Sequence, residues 1–316
     1  MPMNEMTLTR PLPADQNPAL VYVASLPSKT GQRTQAQALR VVAEILDGDV
    51  RHLRWSALRY QHTAAIRSKL ISQYAPATVN KILAALRGCL RACWRLGQMS
   101  AEDYQRAIDL RPVSGETLPA GRELSSGEIL ALMQACQRDK TPAGTRDAAM
   151  IALLYAAGLR RAEIVALNLA DADISTGRLI VRGKRSKERT AYLNNGALDA
   201  LADWLALRGE FDGPLFVPIN RGARVLSSRL SNQAVYNVLL KRGAEAMVDN
   251  FSPHDLRRTF ISDLLDKGAD IATVSKMAGH ANVQTTARYD RRPEEAKQKA
   301  ASLLHVPYKR RKNEAG

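Results

Sequence analysis

The stretch from Pro76 to Gly97 constrains the fold of this chain most tightly. Proline suits a first helical turn and glycine the position just past a helix end. Between them Val79, Ile82, Leu83, Leu86, Leu90, Cys93 and Trp94 recur at three- and four-residue intervals. That period draws one apolar stripe along a helix, and such a stripe has to face a core. Residues 18–26, 32–46, 57–73 and 101–109 continue the helical pattern with no convincing period-two segment among them, so this part of the chain is expected to be all helical. Cys89 and Cys93 lie four apart inside the pattern and are expected to pack in its core. The 3 cysteines offer neither a disulfide framework nor a zinc pair at CxxC spacing, which fits a reducing compartment.

A change of composition divides the 316 residues. Residues 111–123 carry two prolines and two glycines without apolar periodicity, the composition of a linker. The expected organisation is a disordered lead-in over 1–16, a helical domain over 17–110, the linker, a second domain over 124–304 and a basic tail over 305–316. With about 16 residues ahead of the first helix, no further folded arm-binding domain is expected there. The second domain opens on Ser125 and Glu128, a capping box, leading into a helix over 126–138. Another helix over 143–157 stops at Gly158. Residues 178–182 and 188–193, joined by Gly183-Lys184-Arg185-Ser186-Lys187, predict a β-hairpin. Helices are expected over 196–207, 231–248, 253–267, 271–278, 282–289 and 293–304. The fold class is therefore mainly α with a small antiparallel sheet in the second domain.

Charge narrows the function. Lys+Arg 46 against Asp+Glu 31 leaves a formal +15, which predicts a polyanionic partner. Arg87, Arg91 and Arg95, spaced i, i+4, i+8, put three like charges on one helix face; that face is either solvated or set against phosphates. No apolar run reaches the roughly 18–20 residues of a membrane span, and no signal-peptide pattern is present, so no membrane partner is expected.

Four pieces of the second domain carry chemistry. Gly158-Leu159-Arg160-Arg161-Ala162-Glu163 leaves Arg160 at a turn, with a carboxylate three residues on to orient its guanidinium. Lys184 sits at the hairpin tip among Arg182, Arg185, Lys187 and Arg189, in a loop too charged to pack. Ser252-Pro253 starts a helix on which His254 and Arg257 share a face, beside a helix N-terminus that favours an anion. Gly279-His280 is followed nine positions later by Tyr289. Five cation or proton donors and one phenol suit a phosphodiester. Charge on its equatorial oxygens must be met by preorganised donors when no metal does so. The sequence has no HExxH, no Walker motif and no acidic triad, so neither metal nor nucleotide cofactor is expected. Forming a tyrosinate at pH 7 costs roughly 4 kcal/mol, which two preorganised arginines, at roughly 2.7–4 kcal/mol each, are able to offset.

These motifs together resemble the tyrosine recombinase (integrase) family, to which Xer, Cre and the phage integrases belong. The intervals 160 to 184, 254 to 257 and 280 to 289 fit the family's six catalytic positions in their order. The resemblance covers the second domain, while the first is similar to the family's core-binding domain in size and class only. It implies a two-domain DNA clamp performing site-specific strand exchange through a 3′-phosphotyrosyl intermediate, without metal or ATP. It further implies that Arg160 and Arg257 clamp the non-bridging oxygens, that His280 adds a third hydrogen bond and that Lys184 protonates the departing 5′ oxygen. His254 takes the tyrosine proton, Tyr289 is the nucleophile, and Glu163 supports Arg160. Lys187, three residues further along the hairpin, is the alternative to Lys184. Arg87, Arg91, Arg95, Arg185 and Lys187 are the expected contacts to duplex DNA. The segment 294–304 looks like the exchanged C-terminal helix of a tetramer on two paired sites, the free protein being a dimer or monomer. The expected location is the cytoplasm, at the nucleoid. Arg258 and Ala278 depart from the common pattern, where histidine and leucine are frequent. A type IB topoisomerase and a non-catalytic DNA-binding protein of the same fold are the alternatives. The former relaxes plasmids that lack target sites, and the latter forms no covalent adduct.

Overall fold

The computed structural model describes residues 8–115, 121–183, 188–249, 251–280, 282–289, 301–304 and 307. The chain divides into two units, Met1–Ala120 and Gly121–Gly316. In the first, α1 (Pro18–Ala24), α2 (Lys29–Ile45), α3 (Tyr60–Gln73), α4 (Pro76–Arg95) and α5 (Ala101–Ile108) are joined by turns, one of them the 3-10 segment Trp55–Ala57. Helix α4 is the spine of this unit. Pro76 occupies its first turn, and Gly97 takes φ +71° just beyond the cap residue Leu96. Val79, Ile82, Leu83, Leu86, Cys89, Leu90 and Cys93 are buried against Leu39 and Val42 of α2 and Ile66 and Leu70 of α3.

One expectation is corrected here. Trp94 does not join the buried stripe; it is 44% exposed and lies flat on Tyr104 of α5, ring centroids 5.7 Å apart. On the Trp94 side of α4 the short α5 offers a ring to stack on. The backbone of residues 8–16, in the expected lead-in, makes two contacts with the helical unit. Leu8 N–H donates to His52 O at 2.7 Å, and Gln98 Nε2 donates to Gln16 O at 2.7 Å.

The three arginines of α4 share a face but not an environment. Arg87 is half-buried and donates to Ile108 O (3.4 Å) and Leu110 O (2.5 Å), tying the end of α5 to α4. Arg91 donates to the Tyr104 hydroxyl at 3.1 Å, and Arg95 is exposed. Replacing Arg87 with alanine is therefore expected to cost this unit about 1.5–3 kcal/mol, the range for hydrogen bonds to a charged group. Arg95→Ala should stay within about 0.5 kcal/mol of the parent. Urea unfolding followed by tryptophan fluorescence separates the two; equal midpoints would show that the Arg87 ties carry nothing.

The second unit runs α6 (Ser126–Arg138), α7 (Pro142–Ala156), α8 (Arg161–Ala166), β1 (Ala172–Asp173), β2 (Arg178–Arg182), β3 (Glu188–Tyr192), α9 (Gly196–Arg208), α10 (Asn232–Ala246), α11 (Pro253–Asp266), α12 (Ile271–Ala278) and α13 (Gln284–Ala287). The Ser125/Glu128 capping box closes at the head of α6. Helix α7 is buried all round, from Arg146 to Leu154, and forms the centre of the core with Leu132, Leu201, Trp204, Phe216 and Leu239. The two charges inside it are paired. Asp147 receives Arg146 at 2.7 Å and the wholly buried Arg242 of α10 at 2.8 Å, since a buried charge is tolerated only with partners.

The expected hairpin exists and gains a third, two-residue strand, giving the antiparallel order β1-β2-β3. Leu179 opposes Ala191 and Val181 opposes Arg189. Residues directly opposite each other point to the same side of a sheet, so Arg189 shares the inward face with Leu179 and Val181. The helix expected over 282–289 shrinks to the four residues of α13. One turn is enough to bring Thr286 and Tyr289, three apart, to the same buried side. Residues 290–300, most of the expected last helix, and the basic run 309–312 lie outside the described residues. Among the described residues no helix is long and apolar enough to cross a membrane.

Candidate active site

The site is built where three helix ends and one strand meet in the second unit. Helix α7 stops at Gly158, whose φ of +55° is the left-handed conformation that favours glycine. A side chain is excluded there twice over, because a Cβ would stand 2.3 Å from the Phe260 ring. Two residues on, Arg160 caps α8: its N–H donates to Glu163 Oε2 at 2.9 Å and its Nη1 to Oε1 at 2.6 Å. Glu163 is 5% exposed. Burial pushes its carboxyl up, but the Arg189 hydrogen bond and the Arg160 N–H pull harder and hold it below the usual range. It is a carboxylate at neutral pH.

Helix α11 supplies the next pair. Ser252 precedes Pro253 at its head, and Asp255 accepts from Ser252 N–H (2.8 Å) and Oγ (2.7 Å). The helix is laced from outside by residues 121–124, of which 121–123 read as linker. Arg122 N–H donates to Asp255 at 2.9 Å, Leu124 N–H to Thr259 Oγ1 at 2.9 Å, Ser262 Oγ to Glu123 at 2.8 Å and Arg258 to Gly121 O. Thus steadied, α11 presents His254 exposed on its first turn and Arg257, 2% exposed, one turn deeper.

Helix α12 gathers these groups. A helix end leaves its last carbonyls without intrahelical donors. Here Gly279, at φ +65°, turns the chain so that its own N–H and that of His280 satisfy Lys276 O and Ser275 O, both at 3.0 Å. The three carbonyls beyond go to three arginines from different elements. Arg189 Nε donates to Met277 O at 2.9 Å, Arg257 to Ala278 O and Arg160 Nη2 to Gly279 O at 3.1 Å. Arg257 Nη1 also donates to Gly158 O at 2.5 Å. The negative end of the helix thus holds three guanidiniums that would otherwise repel one another. Each guanidinium has five N–H groups, so donors remain for a ligand.

The charge density shows in the titrating groups. Burial first, then repulsion from Arg160, lowers Arg257 to about 10, leaving it charged at neutral pH. Partial desolvation by the surrounding protein, despite an exposed edge, and then the Arg257 charge lower His254 as well. His280 is pushed down to about 4 by burial and by Arg257, Arg160, His254 and Arg189. A lowered histidine contributes stability that is complete above the unfolded value of about 6.5 and is lost as pH falls toward the folded value, because the unfolded imidazole protonates first. Unfolding free energy is expected to drop by about 2 kcal/mol between pH 6.5 and 5 on this account. His280→Gln should flatten that part of the urea-midpoint profile; an unchanged slope would contradict the cationic field.

Tyr289 completes the set from within a small core. Its ring, 8% exposed, lies among Phe260, Ile261, Leu265, Val274 and Ala278. The Arg258 guanidinium carbon stands 5.3 Å from the ring centroid, and the His280 ring stacks at 6.5 Å between centroids. His280 Nδ1 is 2.8 Å from the buried Thr286 Oγ1; a proton donated by Thr286 leaves the imidazole hydrogen on Nε2.

Of the residues singled out in sequence, Arg160, Glu163, His254, Arg257, His280 and Tyr289 therefore lie in one region of the second unit. Lys184, Arg185 and Lys187 lie outside the described residues, and Arg87, Arg91 and Arg95 belong to the first unit. Arg189 joins the site and was read in sequence only as hairpin charge. Strand alternation held a signal for it: Ala191 is the apolar residue of β3, which puts position 189 on the inward face, where a lone arginine needs a partner.

Residues 122–295 match the family model described as the phage integrase family. The tyrosine recombinase XerC of Alcanivorax borkumensis is 33% identical over 242 residues, spanning 74% of this chain and 76% of the relative. Among solved structures, the Tn1549 transposon integrase in complex with transposon right end DNA superposes with a TM-score of 0.68 at 14% identity, over 92% of this chain and 99% of that one. The XerH site-specific recombinase bound to a palindromic difH substrate gives 0.63 at 18%, over 95% and 92%. These two likenesses show the fold.

Proposed function

Because this chain belongs to the phage integrase family and is a tyrosine-type site-specific recombinase, we propose that it cleaves and reseals duplex DNA at a phosphate seated on Arg160, Arg257 and His280. The observation that carries this reading is the set of guanidiniums held on the end of α12, next to the His280 and Tyr289 rings. A phosphodiester there meets preorganised donors, each worth roughly 2.7–4 kcal/mol to a developing oxyanion. Its negative charge also relieves the mutual repulsion that depresses Arg257 and His280.

Arg160 and Arg257 hold the two non-bridging oxygens, with Glu163 keeping the Arg160 fork in plane. Neutral His280 adds a donor through Nε2, its tautomer set by Thr286. The Tyr289 oxygen attacks phosphorus, His254 takes the phenolic proton, and the bond to the 5′ oxygen breaks as Lys184, or Lys187 three residues on, supplies that oxygen with a proton. The phosphate energy is kept in the 3′-phosphotyrosyl bond, and a 5′-hydroxyl from the partner strand reverses the step without ATP, metal or any resident cofactor. Arg95 and the hairpin cations Arg185 and Lys187 contact the DNA backbone, joined by the free donors of Arg87 and Arg91. The working form is a tetramer on two paired sites, and its place is the cytoplasm, at the nucleoid. The complexes of the Tn1549 integrase and XerH with DNA support the choice of partner.

The test is covalent capture. The chain is incubated with fragmented genomic DNA and quenched in detergent, and the adducts are digested for mass spectrometry and sequenced. A phosphonucleotide on Tyr289 and DNA converging on one pair of inverted repeats is the expected result. Adduct on another residue, or none, would sink the assignment. Relaxation of a plasmid lacking the recovered site would favour topoisomerase action.

A further inference from the structure

Three arginines occupy the three consecutive carbonyls at the end of α12, yet the functional reading uses only two of them. The third, Arg189, is the least like a surface charge. It sits on the inward face of β3, opposite Val181, with its side chain 12% exposed. Its guanidinium faces two ways: Nε donates to Met277 O at 2.9 Å and Nη2 to Glu163 Oε2 at 2.8 Å. A Cβ on Gly279 would come within 3.2 Å of its side chain, so the turn that carries His280 closes directly over it.

We infer that Arg189 is a positioning residue for strand cleavage, holding Glu163 and the last turn of α12 in one frame so that Arg160 and Arg257 face a single phosphate. This rests on the function proposed above. Glu163 divides its charge between two guanidiniums, Oε1 taking Arg160 and Oε2 taking Arg189. Without Arg189 the buried carboxylate has Arg160 as its one remaining ion-pair partner among the described residues, and it draws that guanidinium away from the phosphate. Met277 O loses its donor at the same time, which loosens the turn on which Ala278 O and Gly279 O hold the other two arginines. A lysine does not substitute: one ammonium on a flexible stem is not a planar fork aimed at two acceptors.

The probe is the duplex recovered by capture on the parent chain, used with full-length R189A, R189K, E163Q and E163Q/R189A. Equilibrium binding and single-turnover adduct formation at Tyr289 are measured for each. R189A is expected to bind within threefold of the parent and to form adduct about 100-fold more slowly, and R189K to remain at least tenfold slow. E163Q/R189A should be no slower than the worse single variant, because both act on the Arg160 geometry. R189K with the parent rate, binding and rate falling in parallel, or losses that multiply in the double variant would each overturn the inference. R189K also decides the matter if R189A fails to fold. A DNA-free arm keeps this separate from the functional reading. In the free chain His280 is faced by Arg257, Arg160, His254 and Arg189, so R189A should raise its NMR titration midpoint above about 4; an unmoved midpoint also overturns the inference. A parent chain that forms no adduct while this arm behaves as expected refutes the function and not the place of Arg189.

Discussion

Tyr289→Phe should abolish covalent capture of DNA while the chain melts within about 1 kcal/mol of the parent. The ring is the buried part of this residue, packed among Phe260, Leu265, Val274 and Ala278, and phenylalanine keeps that volume, so packing changes little. Among the described residues no hydrogen bond from the Tyr289 hydroxyl is lost. Its contacts with Arg258 and His280 are made by the ring face and survive. Chemistry responds differently, because the bond to phosphorus has no oxygen with which to form. Loss of a nucleophile from an assembled site costs roughly 10⁴-fold or more. Thermal melting and adduct formation on the recovered duplex, run side by side, check both halves. Residual adduct in the variant would move the nucleophile elsewhere, and a melting point far below the parent would mean the hydroxyl has a structural role.

Gly158→Ala is expected to damage fold and site together. At φ +55° an L-residue loses about 1–2 kcal/mol, and overpacking adds about 1–3 kcal/mol, here against a Phe260 ring only 2.3 Å from the new Cβ. Together these come to about 2–5 kcal/mol, or roughly 5–15 °C for a unit of this size. Because Gly158 O is one of the two carbonyls holding Arg257, surviving folded protein should also form adduct tenfold or more slowly. Calorimetry and single-turnover cleavage test the two effects. A chain that melts normally would show that Phe260 yields without cost, and normal cleavage with a lowered melting point would free Arg257 from dependence on that carbonyl.

How far the residues announced this arrangement depends on the range of the interactions. The stripe of α4, the Ser125/Glu128 box, the Pro253 start of α11 and the stop of α7 at Gly158 are local: each rests on neighbours within about one helical turn, so residue type and spacing are enough. Trp94 went astray because whether a periodic apolar position is buried depends on how much protein stands opposite, and spacing says nothing about that. Arg87 looked like one of three equal charges, yet its partners Ile108 O and Leu110 O are backbone atoms some 21 and 23 residues away, which carry no side-chain signature.

The candidate site divides in the same way. Arg160 with Glu163, His254 with Arg257, and Gly279 with His280 are pairs within a single turn, and their order along the chain matches a known family, so the candidate set could be assembled from the residues alone. The company they keep was not. That Met277, Ala278 and Gly279 offer consecutive carbonyls to three arginines from a strand, a helix and a turn, and that Arg189 is one of them, is decided only when α12 ends against β3, α8 and α11. Backbone carbonyls are the same at every position, so no alphabet of side chains encodes which of them will be left open and which distant cation will reach it. The amino-acid order singled out the groups proposed to do chemistry; tertiary structure decided which atoms hold them in place.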